Sequence, residues 1–264
     1  MTIKGLTNKQ HQNVLRELIK LGETTKIKQL HASGPEYTSL MVCFLKHSLS
    51  SADCLQQLYA FYGDDLFPTT VGYTIVRPMF EIDVTAHYIT RKPRERAHQY
   101  IEYESVIKKR QMEAWGKHRN SNKPDWREAM ETAWQHELAE RQSQIDSRFN
   151  SIRTKFEKIN KKGHPILFHN WSGKSIRDMA VEVDHEEAYD IFYADLSSFT
   201  HADVRLANRF LRLNTHGMSW SSQAQSPDIG GVFRYADIFL TCFLSLFGEE
   251  FKLWEKSKVE KCWG

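Results

Sequence analysis

Five residues spaced four apart, Tyr189, Tyr193, Ser197, His201 and Arg205, hold the groups in this 264-residue chain best suited to acid–base chemistry. On an α-helix that spacing puts them along one face, drifting slowly about the axis. Ile191, Phe192, Leu196, Phe199, Val204, Leu206 and Phe210 surround the stripe with apolar surface, which predicts a buried helix over 184–213. Polar groups on an inward face need partners, since an unpaired one costs roughly 1–3 kcal/mol. Arg77 and Glu81, four apart on an earlier predicted helix, are the natural candidates. In a catalytic arrangement His201 is the general acid or base and Arg77 steadies a developing anion. Glu81 or Ser197 then orients the imidazole. The same residues also suit a buried polar network without catalysis, in which Arg77 pairs with Glu81 and the stripe satisfies the remaining groups.

Other candidate motifs have simpler readings. Gly173-Lys174-Ser175 has the ending of a phosphate-binding loop, but Phe168 stands where the motif needs glycine, so Ser175 reads as a helix cap. The twelve histidines include no pair three or four apart on one helix and no H-E-x-x-H. The expectation is therefore a site without metal or cofactor. Cys43, Cys54, Cys242 and Cys262 form no C-x-x-C pair and read as reduced structural thiols.

Composition narrows the class. With 41% hydrophobic and 26% charged residues the chain can bury a sizeable core. A net charge of +3 is too mild to imply nucleic acid by itself. The opening thirty residues lack the apolar stretch of a signal peptide. The most apolar window, 231–247, contains Arg234 and Asp237 and is short for a bilayer span, so it reads as a buried helix. These features point to a cytoplasmic protein without a membrane segment.

Nearly every segment has helical periodicity. Helices are expected over 8–30, weakened by Gly22; over 36–62, ended by Gly63; and over 71–90, with a kink or late start at Pro78. Two long charged helices follow, 94–118 and 125–161, joined around Pro124. The second would span about 55 Å. Its residues Ile145, Phe149, Ile152, Phe156 and Ile159 alternate four and three apart, a narrow coiled-coil seam. This seam predicts a helical hairpin arm that binds a protein partner or a second copy of the chain. Trp126 and Trp134 add stacking surface for RNA on that arm, although Glu128, Glu131, Glu137, Glu140 and Asp146 interrupt any basic track and favour a solvated face. A connector over 162–172 and a short helix over 175–183 come next. Asp184 and Glu187 form a capping box that starts the central helix. A serine-rich connection over 216–230 and a final apolar helix over 231–258 complete the chain. The expected architecture is all-α: a helical bundle from 1–93 and 163–264, with a long antiparallel helical hairpin arm at 94–162.

The order of motifs carries a resemblance. Val76-Arg77-Pro78-Met79-Phe80-Glu81, the 100–103 stretch, 171–183 and Tyr189-x3-Tyr193-x3-Ser197-x3-His201 together resemble the bacterial domain-of-unknown-function family numbered 5677. The match covers roughly 40–213. The resemblance implies an all-helical bundle with an Arg-x3-Glu motif on one helix and a Tyr-x3-Ser-x3-His motif on a later one. It adds Tyr100 to Tyr189, Tyr193 and Arg205 as binding residues. Proline stands at position 78, where the family pattern suggests a small residue such as serine. The layout is in turn similar to HEPN domains, many of which are metal-independent ribonucleases of bacterial defence and toxin systems. Their motif puts arginine four to six residues before histidine; no arginine precedes His201 at that distance, so Arg77 would join it from another helix. The expected function is a defence or stress-response effector acting on RNA, forming a homo-oligomer. The alternative is a helical interaction module or small-ligand sensor with a structural polar core.

Overall fold

The computed structural model describes residues 6–25, 30, 33–118, 128, 131–132, 135, 141–193, 196–197, 211–214, 217–220 and 229–263. The fold is predominantly α-helical, as the periodicity predicts. The chain divides into two units, one from 1–93 with 176–264 and the other from 94–175. The connector 162–172 thus falls in the second unit.

In the first unit, α1 (Asn8–Glu23), α2 (Pro35–Leu66) and α3 (Thr69–Thr90) pack against one long apolar helix, α8 (Ile229–Phe251). α1 opens with a capping box in which Thr7 and Gln10 satisfy each other's backbone N–H groups. It stops at Glu23, short of the expected residue 30, and residues 26–29 lie outside the described residues. α2 continues to Leu66, past the predicted stop, but Gly63 breaks it locally with φ 63°, a left-handed conformation that glycine adopts without a Cβ clash. α3 starts ahead of Pro78 and runs through it.

α8 is long and apolar enough, by length and composition, to cross a membrane. In this fold its aromatic residues instead form the core. Phe233, Phe239, Phe243 and Phe247 are almost completely buried, and Phe239 meets Phe80 of α3 at 5.1 Å between ring centroids. Burying a phenylalanine side chain contributes about 1.5–3 kcal/mol, so this cluster is a dominant stabilising element.

The second unit differs most from expectation. α4 (Pro93–His118) forms as predicted, but its partner is α5 (Gln142–Ile152), which ends well before residue 161. A 3-10 turn at Arg153–Lys155 follows, and β1 (Glu157–Ile159) pairs antiparallel with β2 (Pro165–Leu167). Gly163 (φ 79°) sits in the reversal, and the Asn160 side chain accepts from the Lys162 and His164 amides there. The linker around Asn120–Pro124, Trp126, Trp134 and most of 125–140 lie outside the described residues. The seam breaks with the helix. Ile145, Phe149, Ile152 and Phe156 are buried within one chain, whereas Ile159, past the helix end, is 68% exposed. Ile145 packs on Met112 and Trp115, and Phe156 on Tyr103. Among the described residues the seam is thus mostly buried, with Ile145 and Phe156 against α4 and Ile159 left exposed.

Three local expectations around the predicted central helix also change. α6 (Ile176–Glu182) ends in a Schellman motif: His185 N–H donates to Ala180 O at 2.7 Å and Asp184 N–H to Val181 O at 3.3 Å. Asp184 therefore adopts φ 62° as a helix stop, not the start of a capping box. α7 (Glu186–Ala188) begins after His185 and passes into a π-turn at Tyr189–Tyr193. The helix does not reach residue 213, because β3 (Leu211–Asn214) pairs antiparallel with β4 (Gly217–Trp220). That second hairpin occupies the start of the expected 216–230 connection; 221–228 lie outside the described residues. A short C-terminal helix, α9 (Lys256–Glu260), follows α8.

A buried polar pair links α1 to α8. His11 Nδ1 of α1 lies 2.7 Å from Asp237 Oδ2 of α8, both wholly buried. Burial lowers the His11 pKa, with the nearby Arg234 charge acting in the same direction, and burial pushes Asp237 up to about 9. Both shifts favour the neutral pair, the carboxyl O–H donating to Nδ1. Below pH 6.5 the unfolded chain protonates His11, whereas the folded chain keeps its proton on Asp237. Above pH 6.5 the unfolded chain has lost its proton while folded Asp237 keeps one until about pH 9. Stability should fall across that window by at most about 1.4 kcal/mol per pH unit. In urea titrations Asp237→Asn should abolish this fall and replace it with a loss below pH 6.5 from unpaired His11. A slope unchanged by the substitution would assign the pH dependence to another group.

Candidate functional site

α3 carries polar groups on two flanks, each one helical turn long. On the first, Arg77 and Glu81 are four apart, and Arg77 Nε donates to Glu81 Oε1 at 2.9 Å. The 189–193 π-turn brings Tyr193 onto this pair. Arg77 Nη2 donates to Tyr193 Oη at 3.0 Å, and Tyr193 Oη donates to Glu81 Oε1 at 3.2 Å. The three side chains close a triangle of hydrogen bonds. The guanidinium carbon also lies 5.2 Å from the Tyr193 ring centroid, within cation–π range.

The π-turn explains how the tyrosines come to this position. Phe192 faces the core, 5.8 Å from Phe239 and 4.6 Å from Tyr235 of α8. Tyr189 and Tyr193 stack on each other at 4.7 Å and lean on Phe80 of α3. One apolar anchor thus docks the turn while two phenols line the polar flank. Single turns of π-helix occur often at functional sites.

Electrostatics keep the triangle in one protonation state. Burial opposes the Arg77 charge, but the Glu81 hydrogen bond and the Tyr193 contact outweigh it and raise the pKa. Burial and the Glu81 charge raise Tyr193, with Arg77 opposing. At neutral pH the site therefore holds a guanidinium and a protonated phenol. Arg77 is 14% exposed and Glu81 35%, so the carboxylate is the more accessible member of the pair.

The second flank holds Asp83 and His87, again four apart, joined by His185 from the Schellman turn. His185 Nε2 is 3.4 Å from Asp83 Oδ2, and His87 Nδ1 is 3.2 Å from Asp83 Oδ1. The two imidazoles lie 4.6 Å apart. Burial works against the charge on each histidine, yet the Asp83 carboxylate overrides it and raises both pKa values. The histidines in turn hold Asp83 low against its own burial. Burial, then the Asp83 charge, pushes the Cys242 thiol up to about 12. Paired-histidine spacing misses this cluster because the residue one turn before His87 is a carboxylate. The mixed spacing Asp83-x3-His87 is the signal that would have revealed half of it.

The predicted site residues are placed unequally. Arg77, Glu81, Tyr189 and Tyr193 come together. Ser197 lies half-buried in a helical stretch at 196–197, and among the described residues no hydrogen bond links it to Arg77 or Glu81. Tyr100 belongs to the second unit, where its ring meets Trp171 edge-on at 5.1 Å. His201 and Arg205 lie outside the described residues.

The triangle supports a quantitative expectation. Tyr193→Phe deletes one hydroxyl that both accepts and donates, and should cost about 1 kcal/mol in urea unfolding. Combined with Arg77→Ala in a double-mutant cycle, it should show a coupling of about 0.5–1.5 kcal/mol. Zero coupling would mean that the phenol and guanidinium do not meet in solution.

No curated protein and no solved structure matches the chain. A family model does match, over residues 66–218, a span that contains both flanks of α3, the π-turn and the second unit. With more than half of its length covered, the chain belongs to the family of unknown function DUF5677.

Proposed function

We propose that the Arg77–Glu81–Tyr193 triangle is the anion-binding half of a metal-independent RNA-cleaving site in a defence or stress-response effector. The observation that carries this reading is the 3.0 Å contact from Arg77 Nη2 to Tyr193 Oη. It joins the Arg-x3-Glu motif to the first member of Tyr-x3-Ser-x3-His, whose last member, His201, follows eight residues later in the sequence. A phosphodiester competes with the partly exposed Glu81 carboxylate for the guanidinium. His201 takes the proton from a ribose 2′-hydroxyl, whose oxygen attacks the adjacent phosphorus as the bond to the 5′ oxygen breaks. The imidazolium returns its proton to that leaving oxygen, giving a cyclic phosphate and a free 5′-hydroxyl. Arg77 neutralises the charge that builds on the phosphoryl oxygens.

This reading makes RNA the partner, needs no cofactor and implies a cytoplasmic protein. Self-association then rests on the first unit, where Phe61, Leu66 and Val71 are exposed, rather than on the arm seam. A second reading, a non-enzymatic interaction module or small-ligand sensor, draws support from the closed pairing of the triangle, which suits a structural network as well.

The test is cleavage of a mixed-sequence RNA by the purified full chain in the presence of chelator. Under the enzymatic reading, His201→Ala and Arg77→Ala each reduce the rate about 10²–10⁴-fold, and His201→Ala leaves the melting temperature nearly unchanged. Cleavage that persists at the wild-type rate in folded His201→Ala protein excludes that imidazole. Absence of cleavage by the wild-type chain, with His201→Ala lowering stability, favours the structural network.

A further inference from the structure

The second flank of α3 has the makings of a site that the RNA-cleaving reading does not use. Asp83 is a carboxylate 1% exposed in the interior, and its Oδ1 accepts no hydrogen bond. The nearest donor, His87 Nδ1 at 3.2 Å, is directed to the Asp83 main-chain carbonyl at 2.9 Å instead. An ionised buried carboxylate with one bare oxygen is costly, because desolvation of that atom has no compensation.

The histidines are held as metal ligands usually are. His185 Nδ1 donates to Val183 O at 2.8 Å, and His87 Nδ1 donates to Asp83 O. A backbone carbonyl on one ring nitrogen fixes the tautomer and leaves the lone pair on the other. On His185 that other nitrogen is Nε2, which faces Asp83 Oδ2 across 3.4 Å. Either a proton on Nε2 or a cation can stand between the two atoms. The gap exceeds the roughly 2.7–2.9 Å of a charge-assisted hydrogen bond. It agrees with two ligands each about 2.0–2.1 Å from a tetrahedral ion, which stand about 3.4 Å apart.

We propose that Asp83, His87 and His185 bind a divalent transition-metal cation of the zinc class. Each of the three offers one ligand atom, and these atoms lie within 4.8 Å of one another. Asp83 and His87 present them from one helical face at the i, i+4 spacing that helical zinc ligands use, with a carboxylate replacing one imidazole. His185 is delivered by the Schellman turn, whose backbone bonds hold it independently of α3. Two imidazoles and one carboxylate select a first-row transition metal over magnesium or calcium, which prefer oxygen ligands throughout. The His87 and His185 side chains remain 23% and 19% exposed, leaving an approach for the ion and a position for water. Three protein ligands with an open fourth position are the pattern of catalytic rather than purely structural zinc.

The full-length protein, stripped with chelator and titrated with ZnCl₂ by calorimetry, should bind one ion per chain. His87→Gln and His185→Gln should each weaken binding by about 100-fold or more, and His98→Ala, on the second unit, should leave it unchanged. Because a ligand variant could fail to fold, Co²⁺ supplies a readout on the wild-type chain. It should produce the visible absorption of a low-coordinate nitrogen–oxygen site, and one equivalent of Zn²⁺ should bleach it. No stoichiometric uptake, a Co²⁺ spectrum of the hexa-aquo ion, or Zn²⁺ affinity undiminished in both folded glutamine variants would overturn the assignment. None of these measurements depends on RNA cleavage, so the metal site and the RNA-cleaving reading stand or fall separately.

Discussion

Burial of α8 is the constraint on which the first unit depends. A helix with Phe233, Phe239, Phe243 and Phe247 on one broad face cannot leave that face in water without losing several kcal/mol. α1, α2 and α3 therefore close around it, and Phe192 of the π-turn fills the position beside Phe239 and Tyr235. α3 inherits its role from this packing. Its apolar residues Val76, Met79, Phe80 and Val84 are committed to the core, so its polar residues emerge on two flanks. The Arg77–Glu81 pair meets the tyrosines on one, and the Asp83–His87 pair meets His185 on the other.

The two flanks differ in how their charges are balanced. Around Arg77 the polar groups satisfy one another, and the part-exposed Glu81 gives the site a replaceable anion. Such an arrangement is stable as a closed set of hydrogen bonds. Around Asp83 the balance is incomplete, since one oxygen of a fully buried carboxylate lacks a donor while both imidazoles direct Nδ1 to the backbone. A third buried polar pair, His11–Asp237, follows another route, because burial favours the neutral form of both partners. The same kinds of residue thus behave in three ways, decided by which partners the surrounding helices bring.

The second unit shows how tertiary contact overrides a local pattern. A helix through Arg153 to Lys161 would keep Phe156 and Ile159 on one stripe, and the residues there have adequate helix propensity. The chain instead turns after Ile152, so that Phe156 packs against Tyr103 and 157–159 pairs with 165–167. Tyr103 Oη, with Arg110, caps this arrangement by donating to Phe168 O, and Lys155 reaches Glu102 of α4. Propensity differences of a few tenths of a kcal/mol per residue are small beside one buried aromatic ring.

By itself the sequence determined the helical class, the positions of α1 to α4 and α8 to within several residues, and the family, because each follows from local apolar periodicity or a short ordered motif. It also paired Arg77 with Glu81 and put both tyrosines on one stripe, since i, i+4 spacing is a property of the helix alone. Only the tertiary structure decided where that stripe docks. The π-turn at Tyr189–Tyr193, the left-handed Asp184 that stops α6, and the end of α5 at Ile152 each answer to a distant packing partner. The meeting of His185 with Asp83 and His87 is the clearest case. About a hundred residues separate them along the chain, and no periodicity spans that gap. The helices packed around α8 bring them within ligand distance of one another.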